Sequence, residues 1–288
     1  MNTLVIFTRY PTPGTTKTRL IPALGAEGAA TLHRWMVERM VQEGRLLRDR
    51  FGVEVYVCFS GGTVQEMQLW LGDDLSYEAQ QMGNLGDRLC GVLRDRFQVQ
   101  SSLSCQSSTS SQSVVMIGTD CPGISADLLE RSFQHLKSVE LVIGPALDGG
   151  YYLIGVNDYY PQLFEGITWS SDRVFQETID RAEGQNLTWV ALEPLPDIDR
   201  PEDLTYLPSD FPSVLQPQPP CEPQTPVPHP GGNDRPNSAV VGLDLPRLGA
   251  INRGEWPILP KPVKHPGAGL VFAEPKSAST ENTGPYLQ

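Results

Sequence analysis

Three basic residues lie close together near the start of a chain whose net charge is -12. Arg9, Lys17 and Arg19 belong to the segment FTRYPTPGTTKTRL, which also contains Gly14. Arg and Lys bind phosphate through charge-assisted hydrogen bonds, and a glycine lets the backbone approach a ligand closely. The segment matches neither the GxxxxGK[ST] nor the GxGxxG motif. Two alternatives therefore stay open: a phosphate-binding loop, or a solvated loop whose cations pair with nearby acids.

Asp120 follows the apolar run VVMI, with Gly118 and Thr119 between them. A carboxylate at the end of a buried strand faces the cleft of an α/β protein, where Mg²⁺ or Mn²⁺ takes carboxylate oxygens together with substrate phosphates. The alternative is a turn, because Asp-Cys-Pro-Gly is turn-like. The neighbouring Cys121 has no histidine near it in sequence, which favours packing over a role as nucleophile.

Two further segments carry acids. In LPDIDRPEDL, Asp197 and Asp199 are separated by one residue, so this segment is a candidate source of a second metal ligand. The alternative is a helix start at Pro201 with acids in the first turn, and both can hold at once. Asp148-Gly149-Gly150 is either a tight turn or a cleft loop whose glycines make room for a substrate.

Histidine and cysteine usage narrows the chemistry. Of the four histidines, two lie in the C-terminal Pro-rich part and two on predicted helices, so a Ser-His-Asp or Cys-His mechanism has no convincing base. The five cysteines show no CxxC or Cys/His spacing, which excludes a disulfide framework or zinc site and indicates a reduced, cytoplasmic compartment. Chemistry based on metal and carboxylates is favoured.

The elements that must position these residues alternate between strands and helices. Apolar runs predict strands over residues 4–8, 53–59, 114–117, 141–143, 151–156 and 187–192. Apolar periodicity predicts helices over 26–50, 64–71 and 85–97, one capped by Ser125 over 126–137, and one capped by Ser171 that runs to about 183. This alternation predicts an α/β three-layer sandwich with a mostly parallel sheet.

Composition divides the chain into a domain and a tail. Only 10 of 26 prolines precede residue 211, and beyond it six basic residues balance six acidic ones. We therefore predict a catalytic domain over 1–208, with a Ser/Gln-rich surface insertion over 99–113, and a disordered tail over 209–288. A strongly acidic domain disfavours nucleic acid and anionic membranes as partners, and no apolar run reaches the ~20 residues that span a bilayer. The N-terminal run MNTLVIF meets Arg9 too early for a signal peptide.

Six ordered blocks covering roughly residues 2–207 resemble one bacterial family, the arsenosugar-biosynthesis glycosyltransferases, formerly a domain of unknown function. The blocks are FTRYPTPGTTKTRLIPALG, GNLGDRL, GTDCPGIS, GPALDGGYYLIG, ITWSSDRVF and LPDIDRPEDL. That family is similar to the glycosyltransferase-A fold, which also houses guanylyltransferases of the phospholactate and molybdenum-cofactor type. Arg200 departs from the threonine usual in the last block of the nucleotidyltransferases, and PTPGTTKTR replaces their GGxSxRxG loop.

The resemblance implies a metal-dependent transferase that moves a glycosyl group from a nucleotide sugar to a small acceptor. Mg²⁺ or Mn²⁺ would bind Asp120 and Asp199, and the phosphates would bind Arg9, Gly14, Lys17 and Arg19. Asp120 and Asp148 would be catalytic, and the acceptor side would comprise Gly149, Gly150, Trp169 and Asp172. The alternatives are nucleotidyl transfer from a nucleoside triphosphate to a sugar phosphate or phospho-acid, releasing pyrophosphate, and a non-catalytic scaffold acting through its tail. Nothing in the sequence predicts the oligomeric state.

Overall fold

The computed structural model describes residues 2–103, 112–209 and 211. Within these residues seven strands form one sheet in the order β3-β2-β1-β4-β6-β5-β7. The strands are β1 (Thr3–Arg9), β2 (Glu54–Ser60), β3 (Ser76–Ala79), β4 (Val114–Ile117), β5 (Leu141–Pro145), β6 (Tyr151–Val156) and β7 (Trp189–Ala191). Only β6 runs antiparallel to its neighbours, so the predicted mostly parallel sheet is confirmed.

Helices cover both faces of the sheet. They are α1 (Ile21–Phe51), α2 (Val64–Leu71), α3 (Leu85–Leu103), α4 (Ala126–His135) and α5 (Val174–Gly184), with short 3-10 helices at Thr18–Leu20, Pro161–Phe164 and Pro201–Tyr206. Successive side chains of β1 point to opposite faces. Leu4 shares a core cluster with Met40 of α1, whereas Val5 shares another with Leu93 of α3. This is the predicted three-layer α/β sandwich.

The helix starts differ from the sequence prediction in two places. α1 begins at Ile21 but breaks at Gly25, whose φ of 71° and ψ of 169° are not helical, so the continuous helix begins near the predicted residue 26. Ser125 caps α4 as predicted, accepting a hydrogen bond from the Leu128 N–H at 3.3 Å. Ser171 does not cap α5, because its hydroxyl donates to the Thr168 carbonyl at 2.7 Å and the helix begins only at Val174.

Strand β3 was not predicted. Its sequence SYEA is short and lies at the edge of the sheet, half-buried, so it carries no apolar run that would reveal it. β7 is shorter than predicted, at Trp189–Ala191 rather than residues 187–192.

The structure describes the predicted insertion over 99–113 only at its two ends, and helix α3 runs beyond its predicted end at residue 97. Helix α3 continues to Leu103, and the Ser113 carbonyl accepts a hydrogen bond from the Thr3 N–H at 2.9 Å beside the sheet. Residues 104–111 lie outside the described residues, as does the predicted tail except for 209 and 211. Phe211 is buried and packs edge-to-face on Trp35, with ring centroids 5.0 Å apart. In the part of the chain covered by the model, no helix has the length and apolar character needed to cross a membrane.

Candidate active site

Four segments meet at the carboxyl edge of the parallel strands. Residues that follow β1, β4 and β5 lie there because parallel strands end at the same edge. The chain after β7 then runs along this edge. The Leu195 N–H donates to the Pro145 carbonyl at 3.1 Å, and the Ile198 N–H donates to the Asp120 carbonyl at 2.8 Å. This crossing brings the LPDIDRPEDL segment to the end of β4.

The Lys17 ammonium lies where these segments meet. Its Nζ lies 2.9 Å from Asp120 Oδ1 and 3.5 Å from Asp199 Oδ1, and it donates to the Ile198 carbonyl at 2.5 Å. The side chain is 5% exposed, and the backbone adopts the left-handed conformation that non-glycine residues rarely take. One cation therefore joins the loop after β1, the end of β4 and the segment after β7.

The charges of this cluster stabilise one another. Burial acts to lower the pKa of Lys17, but the charges of Asp120 and Asp199 outweigh it and raise the pKa above its ordinary value. Desolvation likewise acts to raise the pKa of Asp120, yet Lys17 lowers it overall. The Asp120 side chain stays 51% exposed, so this carboxylate is charged and open to the cleft.

The other predicted phosphate-binding residues surround Lys17. Arg19 pairs with the second carboxylate oxygen of Asp199 and is 63% exposed. Arg9 donates to the Thr15 carbonyl at 3.2 Å and so shapes the loop. Gly14 has a φ of 81° at an exposed position with open space around it. Lys17 and Arg19 thus pair with acids, which was one of the two alternatives for this loop.

The residues fit a divalent cation that arrives with phosphate. Asp120 and Asp199 present carboxylate oxygens around a single point, now held by the Lys17 nitrogen. Mg²⁺ in phosphate-processing sites is commonly held by one or two carboxylates together with substrate phosphates. Across the residues that the model describes, no group of three or more His, Cys, Asp or Glu is arranged to hold a metal. Two protein carboxylates completed by phosphate oxygens match this donor set.

A second pair of acids lies next to this cluster. Asp148 Oδ1 accepts a hydrogen bond from the Gly150 N–H at 2.8 Å, which closes the predicted tight turn. The Leu147 N–H donates to the Leu195 carbonyl at 3.1 Å, so the turn lies beside the segment that leads to Asp197. Burial, and then the charge of Asp148, raise the pKa of Asp197 to about 6. The sequence prediction included Asp197 in a candidate metal-binding segment but assigned the metal to Asp199, and the raised pKa marks Asp197 as a site candidate too.

The acceptor-side residues are positioned mainly by backbone contacts. Gly149 has a φ of 90°, and a Cβ there would lie 2.1 Å from the Asp172 carbonyl oxygen, so only glycine fits. The Gly149 carbonyl accepts a hydrogen bond from the Phe175 N–H at 2.9 Å. The half-buried Trp169 packs against Gly86 at the start of α3, where a Cβ would lie 2.8 Å from its ring. Gly149, Gly150 and Asp172 therefore lie close together, and Trp169, nearby in the chain, contacts α3.

Sequence reasoning missed His33. This buried residue of α1 lies below the loop after β1, with its Nε2 3.0 Å from the Arg9 carbonyl oxygen. Because a carbonyl oxygen only accepts hydrogen bonds, Nε2 is the donor. The other ring nitrogen, Nδ1, has no hydrogen-bond partner among the described residues. Burial lowers the pKa of His33, so the ring is neutral at pH 7. The sequence contained one signal for its burial, namely the helical spacing from Met36 and Met40 on the apolar stripe of α1.

Cys121 is a packing residue, as predicted. The side chain is buried in the cluster beneath the sheet edge. Burial, and then the charge of Asp120, raise the pKa of its thiol. A protonated, buried thiol is a poor nucleophile.

The seven-stranded, mostly parallel α/β sheet is the fold of nucleotide-diphospho-sugar transferases, as the sequence predicted. Residues 45–171 match the model of a family described as an uncharacterized protein conserved in bacteria, DUF2064. The crystal structure of a "putative nucleotide-diphospho-sugar transferase" from Desulfovibrio desulfuricans G20 has 30% sequence identity and a TM-score of 0.61. That alignment covers 69% of this chain and 82% of the Desulfovibrio chain. The chain belongs to the same family as this Desulfovibrio protein.

More distant structures share less with the chain. A CMP:2-keto-3-deoxy-manno-octonic acid synthetase complexed with CTP has 12% identity and a TM-score of 0.43, with 71% of this chain and 95% of that chain covered. The 4-diphosphocytidyl-2C-methyl-D-erythritol synthase from Anaerococcus prevotii DSM 20548 has 10% identity and a TM-score of 0.41, with 71% and 96% covered. Among curated proteins, none matches the sequence.

Proposed function

We propose that this protein is a metal-dependent glycosyltransferase that moves a sugar from a nucleotide-sugar donor to a small acceptor in the cytoplasm. The observation that carries the proposal is the Lys17–Asp120–Asp199 cluster at the carboxyl edge of the parallel strands. Such an edge is where α/β proteins bind ligands, and this cluster combines phosphate-binding and metal-binding residue types. The description of the Desulfovibrio relative and the resemblance to arsenosugar-biosynthesis glycosyltransferases support the same activity.

The phosphate side stabilises the leaving group. Asp120 and Asp199 would hold Mg²⁺ or Mn²⁺, which supplies positive charge to the departing diphosphate. Arg19 is exposed beside Asp199, and Arg9 begins the loop, so both guanidinium groups are available to phosphate oxygens. Gly14 lets the loop backbone approach the same phosphates. Positive groups fixed where negative charge develops lower the barrier to transfer.

The acceptor side orients the attacking hydroxyl. The acceptor oxygen forms a bond to the anomeric carbon, the bond from that carbon to the diphosphate oxygen breaks, and the hydroxyl proton passes to a carboxylate. Asp148 is the proposed base, because its turn is held rigid by the Gly150 N–H and by the contact of Gly149 with Asp172. Trp169 offers an aromatic surface of the kind on which sugar rings pack.

The experiment offers nucleotide sugars of different bases to the protein with Mn²⁺ or Mg²⁺ and measures release of the nucleoside diphosphate. Parallel reactions supply each nucleoside triphosphate with sugar phosphates or phospho-acids and measure pyrophosphate. Nucleoside diphosphate release that depends on metal and is lost in Asp120→Asn is expected. Pyrophosphate release without any turnover of nucleotide sugars would replace glycosyl transfer by nucleotidyl transfer.

A further inference from the structure

The position of the Lys17 ammonium is notable because it coincides with the proposed metal position. The nitrogen touches Asp120 at 2.9 Å and Asp199 at 3.5 Å, the two residues proposed to bind the cation. Its third partner is the Ile198 carbonyl, which accepts a hydrogen bond at 2.5 Å. Three protein oxygens therefore surround the ammonium.

We propose that Lys17 and the divalent cation are alternative partners of Asp120 and Asp199, and that metal binding displaces the ammonium from the two carboxylates. The inference rests on the proposed function, since it concerns the same metal and phosphate site. It adds that Lys17 competes with the metal for the two carboxylates and becomes a phosphate ligand only after the metal has replaced it.

Electrostatics make the two cations exclusive. Mg²⁺ binds carboxylate oxygens at about 2.0–2.1 Å. A metal bound to Asp120 Oδ1 and Asp199 Oδ1 would lie in the space that the 5% exposed Lys17 head group fills. Two cations held side by side on the same oxygens repel each other. Sharing the carboxylates is therefore unfavourable unless the ammonium moves.

The surrounding chain allows that movement. Residues 12–15 of the loop, which precede the buried Thr16 and then Lys17, are exposed, and Gly14 there has open space around it. The lysine side chain has a flexible four-carbon stem with a compact charge at its end. Phosphate oxygens brought by the metal would accept the donors that the carboxylates release. The metal itself therefore offsets the energetic cost of opening the cluster, and phosphate that arrives with it offsets the cost further.

The first test is calorimetric titration of MnCl₂ alone into the whole chain. Lys17→Met removes the competing ammonium and is expected to bind Mn²⁺ about tenfold or more tightly than the wild type. Arg19→Met is the matched control, because it removes one positive charge beside Asp199 from an exposed side chain that does not touch Asp120. A smaller gain in Arg19→Met is expected. Equal gains in both variants, or none in Lys17→Met, would overturn the proposal.

The second test uses the unaltered protein, so it does not depend on the folding of a variant. Amine acylation followed by mass spectrometry measures how fast Lys17 reacts with and without MnCl₂. The buried ammonium is expected to react slowly in the apo protein and about tenfold faster when Mn²⁺ alone has displaced it. A Lys17 labelling rate that saturating Mn²⁺ leaves unchanged contradicts displacement.

The same samples separate this inference from the proposed function. Nucleoside diphosphates that raise the melting temperature only with Mn²⁺ support the function, whatever Lys17 does. If those ligands bind but Lys17→Met gains no Mn²⁺ affinity, the displacement model fails and the function stands. If Lys17→Met gains Mn²⁺ affinity and no nucleotide binds, the competition stands and the proposed function fails.

Discussion

The two sides of the candidate site are held together by different forces. On the phosphate side, ion pairs between Lys17, Asp120 and Asp199 join segments that are far apart in sequence. On the acceptor side, Gly149 lies in backbone contact with Asp172. Ion pairs can exchange one cation for another, whereas a close backbone contact permits a single arrangement. The phosphate side is therefore suited to a changing set of charges, and the acceptor side to fixed positioning.

A third region shows what a purely structural ion cluster looks like. Asp74 accepts hydrogen bonds from Arg45 at 2.5 and 3.0 Å and from Arg48 at 2.8 Å. These bonds hold the pKa of Asp74 well below its ordinary value. Asp74 precedes β3 and so lies toward the opposite edge of the sheet. Its carboxylate is surrounded by donors, while Asp120 has an exposed carboxylate facing the cleft.

The largest expected effect is a difference in transfer activity between variants of the two ion clusters. Asp120→Asn should reduce transfer about 10²–10³-fold, because the proposed metal loses a charged ligand while the amide oxygen can still accept from Lys17. Asp74→Asn, the matched control, should retain wild-type turnover. Nucleoside diphosphate release measures both. An Asp120→Asn variant with near wild-type turnover would show that the phosphate side is structural as well.

The next effect tests the fixed geometry of the acceptor side. Gly149→Ala should lower the free energy of unfolding by about 3 kcal/mol, because its Cβ would meet backbone atoms of Asp172 at a positive φ. Gly14→Ala has a similarly positive φ in open space and should cost only about 1 kcal/mol. Urea denaturation of both variants provides the comparison. Equal losses would mean that the contact with Asp172 adjusts easily.

The sequence predicted the parts of the site that carry charge and turn chemistry. Asp120 and Asp148 were visible because each follows an apolar run that ends at the same sheet edge. The pairing of Lys17 with Asp199 was not predictable, since it depends on a chain crossing about 180 residues later. His33 was missed because a polar residue at a core spacing on an apolar helix stripe does not reveal what its side chain binds. Strand β3 was missed because a short half-buried edge strand gives no periodic signal.

The contribution of Asp197, at the boundary between the two sides, to the stability of the fold should depend on pH. Asp197 has a folded-state pKa of about 6 against an ordinary value of 3.8, so the folded protein binds more protons between these values. Its contribution to stability is therefore complete below pH 4 and is lost as the pH rises through 6. In metal-free protein, Asp197→Asn should stabilise by about 1–2 kcal/mol at pH 8, after discounting for partial exposure.

Thermal or urea unfolding with a chelator across pH 4–8 measures this effect. The gain in Asp197→Asn should shrink toward zero at pH 4, where the wild-type carboxyl is already neutral. If the stabilisation by Asp197→Asn is independent of pH, it arises from packing and not from ionisation of Asp197 beside the charge of Asp148. The same measurement with saturating Mn²⁺ and a nucleoside diphosphate shows whether ionised Asp197 stabilises the fold when cations enter the site.

The smallest effect concerns the structural cluster. Asp74→Asn should lower the free energy of unfolding by about 0.5–1 kcal/mol, because exposed ion pairs are screened by solvent even when several donors surround one carboxylate. The loss should diminish in 1 M NaCl, where the Debye length falls to about 3 Å. Urea denaturation at low and high salt measures it. A loss of several kcal/mol that salt does not reduce would mean that Asp74 acts through a desolvated contact like that of Lys17. The contrast between a structural cluster of exposed ion pairs and a functional cluster centred on the buried Lys17 would then no longer hold.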